Sequence, residues 1–320
     1  MRTFNFLDHG FPLSTICFGG ASISGEGKGY GFGPITEDES IRLLKKAFEA
    51  GINFFDTAPI YGFGSSEIRM GKAFKDIREK VFLISKCGID WHSNTRVNMT
   101  NDPAICEKML GQSLERLQTD YIDLYMIHWP DQNVDIRDSL KVLVDAKKAG
   151  KIKYIGLCNT NVDELEKARE VCKIDMVQSE YNLFADSVRD QLFPYLEQHH
   201  IPFMGWGTFQ KGILTKRVDA SRKFDSTDCR SSAPWWKDMN KAPMYQAMEE
   251  INPLLDQKGV DGVSLALSFS LGHPAIRAAL VGMRNEKQLE STLRALENLA
   301  PLELVNRSHE IATKHLMEVR

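Results

Sequence analysis

A chain of 320 residues, 42% hydrophobic and 26% charged, holds enough apolar material for a large buried core and is too apolar to be a disordered polymer. A net charge of −3 and a pI near 6.3 exclude any general attraction for nucleic acid or an anionic membrane. The opening MRTFNFLDHGFPL lacks the apolar core of a secretion signal, and no apolar run reaches the ~20 residues of a membrane span, so a cytoplasmic location is expected.

In chain order, residues 3–13 read as a short hairpin, and an apolar run over 15–20 predicts a first strand. The glycine-rich stretch 19–33 fits neither GxGxxG nor GxxxxGK[ST] and reads as a mobile loop. Thr36 followed by Glu37, Asp38 and Glu39 marks a helix start, and IRLLKKAFEA carries that helix to Gly51. Apolar runs at 52–58, 81–87, 122–129, 154–159, 176–182, 202–208 and 278–283 predict seven more strands. Helical patterns fall at 103–118, 135–149, 161–172 and 186–199, the last interrupted near Pro194. Residues 217–245, with Trp235 and Trp236 in a polar setting, read as a long insertion after the seventh strand: a lid, or a loop anchored by its aromatics.

Alternating strands and helices with short connections imply parallel strands joined by right-handed crossovers. Eight such strands predict one (β/α)8 TIM barrel over residues 1–320, with the hairpin covering its bottom and long loops at its C-terminal face. An open doubly wound sheet is the alternative, but its usual nucleotide signature is missing. The six cysteines, among them Cys87 and Cys158 at strand ends, form no CxxC pair and read as reduced, small buried residues.

Four polar residues stand at the ends of three successive apolar runs: Asp56 and Tyr61 in INFFDTAPIYG, Lys86 in VFLISKCG, and His128 in IDLYMIHWP. Neighbouring strands lie about 5 Å apart, so these groups are expected to share one pocket at the face where barrels carry chemistry. A lysine in an apolar strand end needs a partner, and Asp56 is the natural one. At ~4 Å and an effective dielectric of ~20, the ammonium would favour a Tyr61 phenolate by about 4 kcal/mol. Two pKa units need only about 2.7 kcal/mol, so Lys86 is expected to lower the Tyr61 pKa and make the phenol a usable acid. His128 would orient a carbonyl oxygen or relay the proton. The histidines are dispersed, with no HxxxH, and no metal is expected.

These segments resemble the aldo-keto reductase superfamily over nearly the whole chain. FFDTAPIYGFGSSEIRMGKAF, ISKCG and GQSLERLQTDYIDLYMIHWPD are similar to the segments that hold the family's aspartate, tyrosine, lysine and histidine. The resemblance implies Asp56, Tyr61, Lys86 and His128 as a catalytic tetrad, with Tyr61 protonating a carbonyl oxygen while a nicotinamide cofactor delivers hydride to carbon. GLCNTN resembles the family's GxSN segment with Cys158 in place of serine, which implies that Cys158, Asn159 and Gln178 hold the nicotinamide carboxamide and that Trp206 stacks on the ring. GWGTFQKG resembles a pyrophosphate loop, implicating Gly207, Thr208, Phe209, Gln210 and Gly212. VGMRNEKQLEST is similar to the adenosine-binding segment, implicating Gly282, Met283, Arg284 and Gln288, although Ser291 and Thr292 replace the family's frequent Glu-Asn. A guanidinium at Arg284 suits a 2′-phosphate, so NADP (NADPH) is the expected cofactor, with NAD the other candidate.

Trp91 and His92 after the third strand, Trp129 after the fourth, and Trp235 and Trp236 are expected to wall a pocket for a small carbonyl or alcohol substrate with an apolar or sugar-like face. Two other functions stay open. One is a regulatory subunit with the same barrel that senses redox state through bound nucleotide, as in the potassium-channel β subunits it resembles. The other is an aldolase-like barrel with Lys86 forming a Schiff base.

Overall fold

The computed structural model, which describes residues 1–25 and 29–318, has eight parallel strands closed into a barrel. They are β1 (Ile16–Gly19), β2 (Phe54–Asp56), β3 (Phe82–Cys87), β4 (Ile122–Ile127), β5 (Ile152–Cys158), β6 (Met176–Glu180), β7 (Phe203–Trp206) and β8 (Ile276–Val281). Val281 of β8 pairs with Phe18 of β1, and Cys158 of β5 with Gln178 of β6, so the ring leaves no strand edge. This is the expected (β/α)8 fold. β5 and β8 each begin two residues before their apolar runs, because outward-facing Lys153 and Arg277 interrupt the hydrophobic pattern there.

The outer helices begin where the sequence supplies caps. Thr36 and Glu39 form a reciprocal capping box at the helix Glu37–Glu49, as do Asn161 and Glu164 at Val162–Arg169. Asp102 caps Pro103–Leu117, whose proline occupies the first turn, where no N–H is missed. Each such cap contributes about 1 kcal/mol. The helical pattern at 186–199 is two short helices, Val188–Gln191 and Phe193–Gln198, parted just before Pro194.

At the bottom, Thr3–Phe4 pairs with Leu13–Ser14, the expected hairpin. It sets Phe6 against the barrel interior, with ring centroids 5.3 Å from Phe82 and 5.0 Å from Tyr154. Above this plug Cys17, Ile84, Leu124, Met126, Met176 and Met204 fill the interior, so the barrel is a packed core.

The loop after β1 opens as a 3-10 turn, Gly20–Ile23, tied to the far end of the chain: Ser22 Oγ lies 2.8 Å from the Met283 carbonyl and accepts its N–H at 3.0 Å. Part of the expected mobile loop, 26–28, lies outside the described residues. The insertion after β7 is not wholly irregular. It contains the short helix Pro234–Lys237, and the longer helix Ala242–Gln257 starts within its expected bounds. A hairpin pairing Ile89–Trp91 with Val97–Met99 follows β3, a feature absent from the sequence reading. Helices Gly262–Leu271, Glu286–Glu297 and Leu302–Met317 complete the outer layer, and no described helix is long and apolar enough to cross a membrane.

Candidate active site

Asp56 ends β2, and Lys86 is the penultimate residue of neighbouring β3. Both are fully buried, and Lys86 Nζ donates to both carboxylate oxygens at 2.7 Å and to the Thr57 carbonyl at 2.9 Å. Those three contacts use every N–H of the ammonium. Burial disfavours its charge and is the largest single influence, but the charge and hydrogen bonds of Asp56 together with Tyr61 and Cys158 outweigh it, and the lysine's pKa is raised above its ordinary value. The loop after β1 packs closely on the end of β2: a Cβ on Gly20 would come within 2.5 Å of Ser66 Oγ and 2.7 Å of the Asp56 backbone carbonyl, so only glycine fits there.

Tyr61 sits in the turn after β2, its ring centroid 5.4 Å from Lys86 Nζ and 5.8 Å from the His128 ring, edge to face. Lys86 does draw the phenol's pKa down, as expected, but the net lowering expected from it does not follow. Burial pushes Tyr61 above its ordinary value more than Lys86 draws it down, and Asp56, Cys158 and Tyr30 add to the upward push. The physical reason is desolvation: the buried site disfavours phenolate by more than the Lys86 charge favours it. His128, which follows β4, is buried, and burial together with the nearby Lys86 charge lowers its pKa well below the ordinary value. It is a neutral imidazole with one donor and one acceptor nitrogen.

A second group of side chains joins this one from the far wall. Gln178 Nε2 donates to Asp56 Oδ2 at 2.9 Å, and the buried Cys158 thiol donates to Gln178 Oε1 at 3.2 Å. Asn159, in a left-handed backbone conformation (φ +52°), donates from Nδ2 to the His128 carbonyl at 2.9 Å and accepts the Trp206 indole N–H at 2.9 Å. Asp56, Lys86, Tyr61, His128, Cys158, Asn159, Gln178 and Trp206 therefore form one connected cluster at the C-terminal mouth. Cys87 and Cys158 are buried, and burial raises both thiols; for Cys87 the Cys106 side chain adds more.

The residues beyond Trp206 form a tight turn after β7. Gly207 has φ +75°, and Gln210, Lys211 and Gly212 follow in three successive left-handed conformations, with the Gln210 N–H donating to the Gly207 carbonyl at 2.7 Å and the Gly212 N–H to the Phe209 carbonyl at 2.9 Å. Thr208 is buried and donates to the Leu280 carbonyl at 2.9 Å; Phe209 is half-buried. Lys211, between two residues singled out from sequence, was itself passed over; it pairs with Glu180 and lies 5.6 Å from the Trp206 ring centroid. Gly282 is open, Met283 is buried, and Gln288 Oε1 accepts the Arg284 N–H at 2.7 Å. The Arg284 guanidinium donates to the Phe32 carbonyl, and Ser291 and Thr292 are buried in the following helix.

The five aromatics expected to wall a pocket divide. Trp129, 39% exposed, stands just past His128, and Trp91 packs against Phe63 at 5.3 Å beside Tyr61. Trp236 is buried edge-on against Phe224 at 5.5 Å, and Trp235 packs on the core, so both anchor the insertion on the barrel. His92 lies at the exposed tip of the hairpin. Arg230 was missed because it acts through tertiary contacts: it pairs with Asp228 and donates to the Lys211 carbonyl at 2.6 Å, clamping the insertion to the turn after β7. Among the described residues no group of three or more His, Cys, Asp or Glu converges as for a metal.

The residue types present fit a dinucleotide on chemical grounds: two side-chain amides and an indole at the barrel mouth, a glycine-containing left-handed turn just after it, and a guanidinium after β8.

A closed parallel barrel with its polar cluster at the C-terminal mouth is the layout of (β/α)8 enzymes. The chain belongs to the aldo/keto reductase family, whose sequence profile matches residues 15–312. It is 33% identical over 294 residues to the aldo-keto reductase YhdN of Bacillus subtilis (strain 168), covering 91% of this chain and 87% of that protein. It is 28% identical over 277 residues to the NADH-specific methylglyoxal reductase of Escherichia coli (strain K12), covering 82% and 84%. Among solved structures, the glycerol dehydrogenase AKR11B4 from Gluconobacter oxydans superposes with a TM-score of 0.85 at 29% identity, over 98% of this chain and 95% of that one.

Proposed function

We propose that the protein is a cytoplasmic NADP-dependent oxidoreductase that reduces aldehydes or ketones to alcohols, or runs the reverse, with Tyr61 as the proton donor. The observation that carries this reading is the buried Lys86–Asp56 pair set beside Tyr61 and His128 at one barrel mouth. A bound nicotinamide nucleotide supplies or takes the hydride. The protein's own residues handle the proton and the geometry.

Tyr61 keeps its proton at neutral pH, since its pKa lies above the ordinary value, and yields it to the carbonyl oxygen as negative charge develops there. Lys86 stabilises the phenolate left behind, and Asp56 holds Lys86 in place. His128 offers a ring N–H to orient the carbonyl oxygen. Cys158, Asn159 and Gln178 would hold the carboxamide, Trp206 the ring, Gly207 through Gly212 the pyrophosphate, and Arg284 with Gln288 the adenosine half.

For the substrate, Trp129 and Trp91 with the exposed Val97 and Met99 of the hairpin give the mouth one apolar side. That favours small carbonyl compounds carrying an apolar face. The cofactor choice rests on Arg284; the NADH-specific relative is the counterweight.

The test is a fluorescence titration with NADPH and NADH, followed by absorbance at the nicotinamide band with a panel of aldehydes, ketones, methylglyoxal, glycerol and sugars. Tight NADPH binding with turnover is expected. Binding without turnover would favour a redox-sensing regulatory subunit, and no binding would remove the nicotinamide assignment.

A further inference from the structure

Gln178 and Asp56 belong to β6 and β2, which lie on opposite sides of the ring, and the bond from Gln178 Nε2 to Asp56 Oδ2 crosses the barrel. Its direction is fixed by chemistry. A carboxylate only accepts, so the amide must turn its NH2 toward Asp56 and its oxygen away. That oxygen meets the thiol of Cys158, the residue paired with Gln178 across β5 and β6, with Sγ 3.2 Å from Oε1. Cys158, Gln178 and Asp56 are 0, 3 and 0% exposed, and among the described residues the donor to Oε1 is Cys158. The donors therefore run one way, from thiol to amide oxygen and from amide to carboxylate, with the Lys86 ammonium on the carboxylate's other side.

We infer that Cys158 is a positioning residue for the proton-transfer set, acting through Gln178 on Asp56: the thiol fixes the amide, and the amide tempers the charge that Asp56 sets against Tyr61. This rests on the roles proposed above for Asp56, Lys86 and Tyr61. The titratable groups around the phenol and carboxylate are Lys86 from β3, His128 after β4, Cys158 from β5, Cys17 from β1 and Tyr30 from the loop after β1. Lys86 favours phenolate and Asp56 opposes it. An N–H donated to the carboxylate disperses part of its charge. Without a fixed amide that opposition grows, and Tyr61 ionises at higher pH.

Two measurements on the full chain test this. In the ligand-free protein, the infrared S–H stretch of Cys158, isolated by subtracting the Cys158→Ala spectrum, is expected below the free-thiol frequency and should rise in Gln178→Leu. In alcohol oxidation, where Tyr61 accepts the proton, the pH midpoint of kcat should move up by about half a unit in Cys158→Ala, the scale of one weak hydrogen bond. Cys158→Ser, which restores a donor, should bring it back. A free-thiol band in the unmodified protein, or coincident pH profiles for wild type and Cys158→Ala, overturns the inference and leaves the oxidoreductase reading standing. A wild-type protein with no nicotinamide turnover removes that reading and this inference together, so the wild-type assay tells the two failures apart.

Discussion

The indole N–H of Trp206 donates to Asn159 Oδ1 at 2.9 Å, while the same asparagine holds the His128 carbonyl at 2.9 Å. One left-handed residue at the end of β5 thus ties the ends of β7 and β4 and fixes the plane of the ring. Trp206→Phe keeps an aromatic face but loses that tether. Its nicotinamide dissociation constant should rise roughly fivefold, the equivalent of about 1 kcal/mol for one net hydrogen bond. Titration of nucleotide fluorescence measures this; an unchanged constant would mean the tether does not serve a cofactor seat.

Tyr61→Phe removes one oxygen and leaves the ring packed against His128. Loss of a general acid should lower kcat by about 10²–10⁴-fold, with cofactor affinity kept. Steady-state kinetics alongside the titration separate the two effects, and near-normal turnover would sink the assignment of Tyr61 as proton donor.

His128 gives stability a pH dependence with a definite sign. Folded, the imidazole stays neutral because its pKa is lowered by burial and then by Lys86; unfolded, it takes a proton below about pH 6.5. The unfolded state then binds more protons, so stability is complete above that pH and falls as pH drops below it. The slope approaches about 1.4 kcal/mol per pH unit for one such group. His9 and His273 are also lowered by burial, so the contribution of His128 is the difference between wild type and His128→Gln in urea unfolding from pH 7.5 to 5. Parallel curves for the two proteins would show that His128 titrates alike in both states.

What could be read from the sequence follows from range. The strands bearing Asp56, Lys86 and His128 are nearly continuous apolar runs ending in a polar residue, a local pattern. The hairpin Ile89–Trp91 with Val97–Met99 was not legible because a two-sided polar and apolar ribbon so short leaves little periodicity. The net direction of the Tyr61 shift differs from the expected one because the sequence places Lys86 near the phenol but cannot show how deeply the phenol is desolvated, or that burial outweighs the lysine's pull. Trp235 and Trp236 looked exposed in a polar segment, and only the tertiary contact with Phe224 reveals the second as an anchor.

Arg284 has two employments in this structure, and a single variant separates them. Its guanidinium donates to the Phe32 carbonyl, holding the loop after β1, and under the proposed function it would also meet the 2′-phosphate that distinguishes NADPH from NADH. A charged hydrogen bond contributes about 1.5–3 kcal/mol, so Arg284→Ala should weaken NADPH by roughly 10- to 100-fold. If the residue reads the phosphate, NADH, which lacks that group, should lose much less. If instead its work is to hold Phe32, both nucleotides should weaken alike, because that contact does not depend on the 2′-phosphate. Parallel titrations with the two nucleotides therefore decide between phosphate recognition and loop anchoring, and Arg284→Lys, which keeps the charge but not the planar fork, should fall between wild type and alanine for NADPH alone.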